Sequence, residues 1–260
     1  MTRGFSAPRD PTGRAALYGP PPWNFHGRSI TVFARCDPAG IRALTPAPLE
    51  PLEDPVVRFS VHDLTCDLGN GWDWALANPG PARFREAVVG LPVRHGDTPG
   101  FWDPFLWTDS DAELAVGREF YGWPQRFGAI AMGGPHSIHG WRAGDRAAGH
   151  VSRHGEAAFR LAVDIAGPGP ADVPAPEFVG FYLERIIPDP VDASRLRELF
   201  FARMPKVELA DIWSGSATLD LLAPELAVLG RPDPIGGQVH AIAWTKNRAE
   251  RLLREVLPPL

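Results

Sequence analysis

A mainly β fold, α+β in detail, is what this sequence predicts, and three observations carry the expectation. Glycine and proline, 27 and 29 of 260 residues, exceed a fifth of the chain without any long low-complexity tract to absorb them, so they punctuate many short elements. Uninterrupted apolar runs are only a few residues long, far below the ~20 that span a bilayer. Between the breaks, β-branched and aromatic stretches of strand length recur, and one all-β unit of this size is routine.

Taken in order, residues 1–22 are rich in Pro, Arg and Gly, lack periodicity and end in Gly19-Pro20-Pro21-Pro22, so they read as an extended N-terminal arm ahead of one domain over 23–260. Arg28 to Arg35 is a strand. Asp37-Pro38 supplies an N-cap followed by proline in the first turn, which predicts a short helix to about Leu44. Val56 to His62 is a strand that places Arg58, Ser60 and His62 on one face and Val57, Phe59 and Val61 on the other. Residues 67–83 read as a loop insertion able to fold over a site. Further strands are expected at Glu86–Val93, Phe105–Trp107, Ala129–Met132, Ala147–Val151, Phe159–Ile165 and Phe178–Ile187, with a proline-rich connection at 167–176. Asp192–Phe201 fits helix or strand. Lys206–Leu221 reads as a strand pair around Trp213-Ser214-Gly215-Ser216, and Thr245–Val256 as an amphipathic helix with Ala249, Leu252, Leu253 and Val256 on one face.

The net charge of -5 and the absence of any basic block argue against nucleic acid. Cys36 and Cys66 have no CxxC spacing and nothing near Met1 resembles a secretion signal, so a soluble protein of a reduced cytoplasm is expected, with no membrane partner. His136 and His139 are three apart and His150 and His154 four apart, but no carboxylate motif accompanies them; no metal and no other cofactor is expected. The motifs GxSxG, GxxxxGK[ST] and GxGxxG do not occur, which removes the usual supports of hydrolase and nucleotide-binding readings.

The densest stretch is Gly117 to Gly128, G-R-E-F-Y-G-W-P-Q-R-F-G, which reads as a strand running through a kinked turn into a second strand. It stands in a series: Phe25-His26-Gly27-Arg28, Pro46-Ala47-Pro48-Leu49-Glu50, Val57-Arg58-Phe59, Glu86 ahead of Pro92-Val93, then this segment, Leu183-Glu184-Arg185-Ile186-Ile187-Pro188 and Trp213-Ser214-Gly215. In that order and spacing the series resembles the acetoacetate decarboxylase family, from about residue 19 onward. The resemblance implies an antiparallel conical β-barrel with a few flanking helices, a homo-oligomer, and a buried apolar site inside the cone. It also implies a Schiff-base lysine directly after the Trp-Pro pair and a basic residue following it.

Here those two positions hold Gln125 and Arg126. Glutamine has no amine, and a guanidinium stays protonated, so no imine can form at either. Ser60 stands where the family carries a pocket glutamate, whereas Arg28 and Glu86 match family pocket positions. Lys206 and Lys246, the two lysines of the chain, fall outside the matching motif, Lys246 on the expected terminal helix.

The residues themselves point to enolate chemistry. Arg28 and Arg126 can anchor a carboxylate, Gln125 can donate to a carbonyl, and Glu86 in apolar surroundings can act as general acid or base, with His62 a second proton-transfer candidate. Ser60, Trp123, Trp107 and Tyr121 complete the expected substrate wall; a packed core aromatic is the plainer reading of Tyr121 and a structural ion pair that of Glu86. The expected function is an acetoacetate-decarboxylase-like enzyme acting without a Schiff base on an enolisable β-keto or polyketide-like acid, as in secondary metabolism. Dehydration, isomerisation, cyclisation and C–C cleavage all fit. An imine-free decarboxylase and a non-catalytic small-molecule binding protein on the same fold are the alternatives.

Overall fold

The computed structural model describes residues 2–135, 140–174, 179–204 and 206–259. The expected pair His136 and His139 lies outside the described residues, as does Phe178. The chain opens with β1 (Trp23–Arg35), α1 (Pro38–Leu44), β2 (Glu50–Pro51), β3 (Val56–Cys66), α2 (Trp72–Ala77) and α3 (Pro79–Ala82). The hairpin of β4 (Arg83–His95) and β5 (Thr98–Thr108) leads into α4 (Asp111–Ala115), and β6 (Gln125–Phe127) and β7 (Ala129–Gly133) follow. Next come β8 (Arg146–Arg153), β9 (Glu156–Pro168), β10 (Gly180–Pro188), β11 (Arg195–Arg203), β12 (Val207–Leu221), β13 (Asp233–Lys246) and β14 (Glu250–Leu257). No described helix is long and apolar enough to cross a membrane.

All fourteen strands belong to one sheet, ordered β14-β11-β10-β5-β4-β3-β1-β13-β12-β9-β8-β7, with β2 added to β4 and β6 to β5. The pairings are antiparallel except those of β5 with β10 and with β6. The mainly β fold with few helices is therefore as the sequence predicts. The sheet curls enough for Arg85 on β4 to donate to the carbonyl of Ile130 on β7 at 3.3 Å.

Strand alternation builds two cores from one sheet. Ile30 and Val32 of β1, Val57, Phe59 and Val61 of β3, and Ala87, Val89 and Leu91 of β4 face one way, into a cluster completed by Trp107, Phe159 and Val163. The opposite faces of the same strands carry Phe25, Leu64, Phe84 and Val88 into a second cluster with Tyr18, Trp23, Tyr121 and Trp123. Through Ser6 and Tyr18, both buried, the N-terminal arm joins this second cluster.

Helix α1 forms where Asp37 and Pro38 predict it: the Asp37 carboxylate accepts from Ala39 N–H at 2.9 Å. Four expectations need correction. Residues 67–83, read as a loop, contain α2 and α3. Lys206–Leu221 forms the single strand β12, irregular between Ala210 and Trp213, in place of a strand pair. The strand expected between Gly117 and Gly122 is instead a π-helical turn, Val116–Tyr121, that continues α4. The expected terminal helix is the end of β13 and then β14, which pairs with β11; an edge pairing that buries Leu252 and Leu253 in part outweighs their helix-like spacing. Asp192–Phe201, left open between helix and strand, contributes β11.

Candidate active site

The π-helical turn exists because two glycines permit it. Gly122 ends the turn at φ +90°, the left-handed region, and its N–H donates to Gly117 O at 2.7 Å, as Trp123 N–H does at 2.9 Å. Gly117 lies so close to the Gln125 amide that any Cβ there would overlap it. Arg185 of β10 donates to the carbonyls of Glu119 (2.9 Å) and Phe120 (3.2 Å) and is itself held by buried Glu198. The turn residues and the Leu183–Pro188 segment, distant in sequence, thus lock one another. The result seats Trp123 and Gln125 beneath β4 and β5.

Above this seat is a cavity of about 290 Å³, walled by the polar-bearing faces of β1, β3, β4 and β13. Thr31, Ser60 and His62 form one side, where Thr31 Oγ1 and Ser60 Oγ are 3.0 Å apart and Ser29 Oγ and His62 Nδ1 2.6 Å apart. Arg58 lies over the ring of Phe101, 4.3 Å from its centre, with Nη2 3.3 Å from Asp103 Oδ1. Gln238, His240, Ile242, Trp244 and Lys246, alternate residues of β13, form another side. At the foot are Glu86 and Trp123.

Burial sets the protonation pattern. Glu86 is pushed up to about 8, by burial first and by nearby Glu113 second, against the opposing pull of Lys246 and the Gln125 hydrogen bond. Burial likewise lifts Glu113 to about 7. His62 is pushed down to about 3 and His240 to about 4, chiefly by burial, so both rings are neutral at pH 7 and serve as hydrogen-bonding groups. Burial lowers Lys246 as well, with Glu113 and Glu86 opposing. At neutral pH Glu86 is thus a carboxylic acid facing an apolar chamber, equipped to give a proton and take it back.

Of the residues expected from sequence, Glu86, His62, Ser60 and Trp123 line the cavity. Gln125 stands behind it: buried, it donates from Nε2 to Glu86 Oε1 at 3.2 Å and so positions the acid instead of meeting a ligand. Tyr121 is packed, its hydroxyl donating to Asn247 O, with its ring against Lys246. Three further expectations are corrected. Arg28 is exposed and borders a separate surface depression with Asp63 and Arg83, because an even-numbered residue of β1 ahead of Ser29 points away from the chamber. Trp107 is 1% exposed and belongs to the opposite core, stacked on Phe105. Arg126 points outward to pair with Glu225 at 2.5 Å. Removing Arg126 as alanine therefore changes stability by ~1 kcal/mol or less, measured by thermal melts.

Sequence reasoning missed Arg58 as the cavity guanidinium, although it had placed it on the face of Ser60 and His62. It missed Asp103, Glu113, His240 and, above all, Lys246, which is 5% exposed on β13 and not on a terminal helix. The signal was the period of two from Gln238 to Lys246, which the helix expected from Thr245 cut short.

The family model described as acetoacetate decarboxylase matches residues 6–246. An acetoacetate decarboxylase of Clostridium botulinum is 24% identical over 237 residues, covering 87% of this chain and 82% of its own. Among solved structures, an acetoacetate decarboxylase-like enzyme from Sphingomonas wittichii superposes with a TM-score of 0.87 at 26% identity, over 96% of this chain and 99% of that one. The enduracididine biosynthesis enzyme MppR, complexed with the condensation product of pyruvate and imidazole 4-carboxaldehyde, superposes with a TM-score of 0.84 at 26% identity, over 96% and 97% of the two chains.

Proposed function

Because this chain belongs to the acetoacetate decarboxylase family, we propose that it is an enzyme of small enolisable keto acids, with no imine at position 125. The observation that carries the reading is Glu86: a carboxyl held protonated near pH 7, lining a mostly apolar chamber that also presents a guanidinium. Arg58 takes the substrate carboxylate, the ketone oxygen lies toward Glu86, and Trp123, Phe101 and Val88 exclude water from the carbon that becomes nucleophilic. His62 and Ser60 orient the acid's far end by hydrogen bonds. A similar structure complexed with a pyruvate-derived condensation product supports a short 2-keto acid as one substrate partner. Dehydration, isomerisation, cyclisation and C–C cleavage share the enolate or its nitrogen equivalent as the intermediate, and loss of carbon dioxide from a 3-keto acid passes through the same species.

The test is deuterium exchange of pyruvate, acetoacetate and related keto acids in D2O, followed by NMR with product masses. Exchange or turnover above the protein-free rate is expected. Protection against thermal unfolding with neither exchange nor product assigns the chamber to a binding protein. Arg58→Lys raises KM about tenfold or more and leaves kcat within a few-fold, since an ammonium replaces a planar fork at a carboxylate site. We also propose assembly as a homo-oligomer, because Val207 and Leu209 at the cavity's rim leave apolar surface exposed, Leu209 at 44%; light scattering that gives a monomer at micromolar concentration removes this part.

A further inference from the structure

We infer that Lys246 is the amine that condenses with the substrate's ketone carbon, displaced from position 125 to the end of β13. The inference rests on the keto-acid reading of the same chamber. Nucleophilic nitrogen is scarce in this chain: of its two lysines, Lys206 is exposed and paired with Glu208 at 2.5 Å, and Lys246 alone reaches the cavity.

Its surroundings fit an amine that must cycle between neutral nucleophile and cation. Lys246 Nζ lies 3.8 Å from the centre of the Trp123 ring, 4.8 Å from that of Phe25 and 5.0 Å from that of Tyr121. Among the described residues it makes no salt bridge, and the carboxylates that favour its charge, Glu113 and Glu86 first, act on it without direct contact. Burial disfavours the ammonium and makes the free amine accessible, while the ring faces stabilise a cation once one forms on the same nitrogen. A protonated imine is such a cation. The acids that face it come from separate elements, Glu86 on β4, Glu113 on α4 and Asp103 on β5, with the Cys66 thiol on β3. Gln125, which cannot itself react, holds Glu86 in place for the exchange.

The step balances without any further reagent. The neutral Nζ adds to the ketone carbon, and the carbonyl oxygen departs as water carrying one proton from the amine and one from Glu86. What remains is a protonated imine on Lys246 and a Glu86 carboxylate. The carboxylate then accepts the proton lost from the adjacent carbon to give a neutral enamine, or the carboxylate of a 3-keto acid is lost as carbon dioxide to give the corresponding enamine, in which case the proton returned to carbon comes from solvent water. Reprotonation and addition of water return product and free amine.

The experiment is reductive trapping of the full chain with pyruvate and cyanoborohydride, read by intact mass and peptide mapping, in parallel with the exchange assay. One reduced adduct is expected, on the peptide bearing Lys246. Lys246→Met and Lys246→Arg should abolish it and lower turnover at least about a thousandfold, as loss of a covalent nucleophile does. Lys206→Ala should keep both within about twofold. An adduct that survives in both Lys246 variants, or wild-type exchange and turnover with no adduct, overturns the assignment; the latter result leaves the keto-acid reading standing. Absence of exchange, product and adduct together overturns both. The wild-type peptide map decides the matter even where a variant fails to fold.

Discussion

Glu86→Gln lowers turnover of a keto acid by about 10²–10⁴-fold while making the protein more stable at pH 8. The two effects share one cause. The folded protein carries the Glu86 carboxyl from its ordinary 4.5 up to about 8, because ionising it means placing a charge in an apolar chamber near buried Glu113. The unfolded chain has no such cost. Between about pH 4.5 and 8 the folded form therefore holds a proton that the unfolded form has released, and the group's contribution to stability falls as pH rises through that window. Glutamine keeps the oxygen that accepts from Gln125 Nε2 and has nothing to ionise. Relative to wild type, its melting temperature should be nearly equal at pH 4.5 and several degrees higher at pH 8, since ~1 kcal/mol is worth ~2–4 °C in a chain of this size. Calorimetry from pH 4.5 to 8 and initial rates on the same samples check both. A variant with full turnover, or one whose melting curve tracks wild type at every pH, removes Glu86 from the role of protonated acid.

How far the sequence reveals such a residue depends on how local its cause is. The β3 alternation of Arg58, Ser60 and His62 against Val57, Phe59 and Val61 is a property of consecutive residues, and it survives folding because the sheet buries both faces. The cap of α1 is equally local, and so is the less conspicuous one of α4, where Ser110 Oγ accepts from Glu113 N–H at 3.3 Å; the Ser-x-x-Glu pattern announces the helix that leads into the π-helical turn, where a strand was expected. What was not legible is set by distant partners. β14 has helix-like apolar spacing and becomes a strand because β11 offers an edge. Arg28, Trp107 and Arg126 differ from Arg58 and Trp123 only in which side of the curled sheet they reach, and no window of sequence contains that information. Lys246 combined both difficulties: its alternation with Trp244 and Ile242 was local, but its burial comes from Trp123 and Tyr121, more than a hundred residues away in the chain.

Trp107→Ala and Trp123→Ala should separate those two sides. Both rings are large and at most 5% exposed, and both sit in or beside the Gly117–Gly128 region's packing. Trp107 fills the first core, edge-on to Phe159 at 5.8 Å and parallel to Phe105 at 6.3 Å, with no surface toward the chamber. Truncating it leaves a ring-sized void among strands that cannot all move inward, which costs about 3–5 kcal/mol, or roughly 10 °C in melting temperature. The molecules that remain folded at low temperature should bind and turn over a keto acid with KM and kcat within about threefold of wild type, because nothing at the cavity wall has changed. Trp123 has the converse position: its ring forms the chamber's foot and lies against Lys246 Nζ. Its loss also destabilises, but it admits water to the reacting carbon and strips a cation-stabilising face, so kcat should fall at least about tenfold in protein that is fully folded. Denaturant titrations give the folded fraction and initial rates at 10 °C give the kinetics. If Trp107→Ala loses activity in folded protein while Trp123→Ala keeps it, the chamber lies on the other face of the sheet and the assignment of Glu86 and Lys246 to it fails with that result.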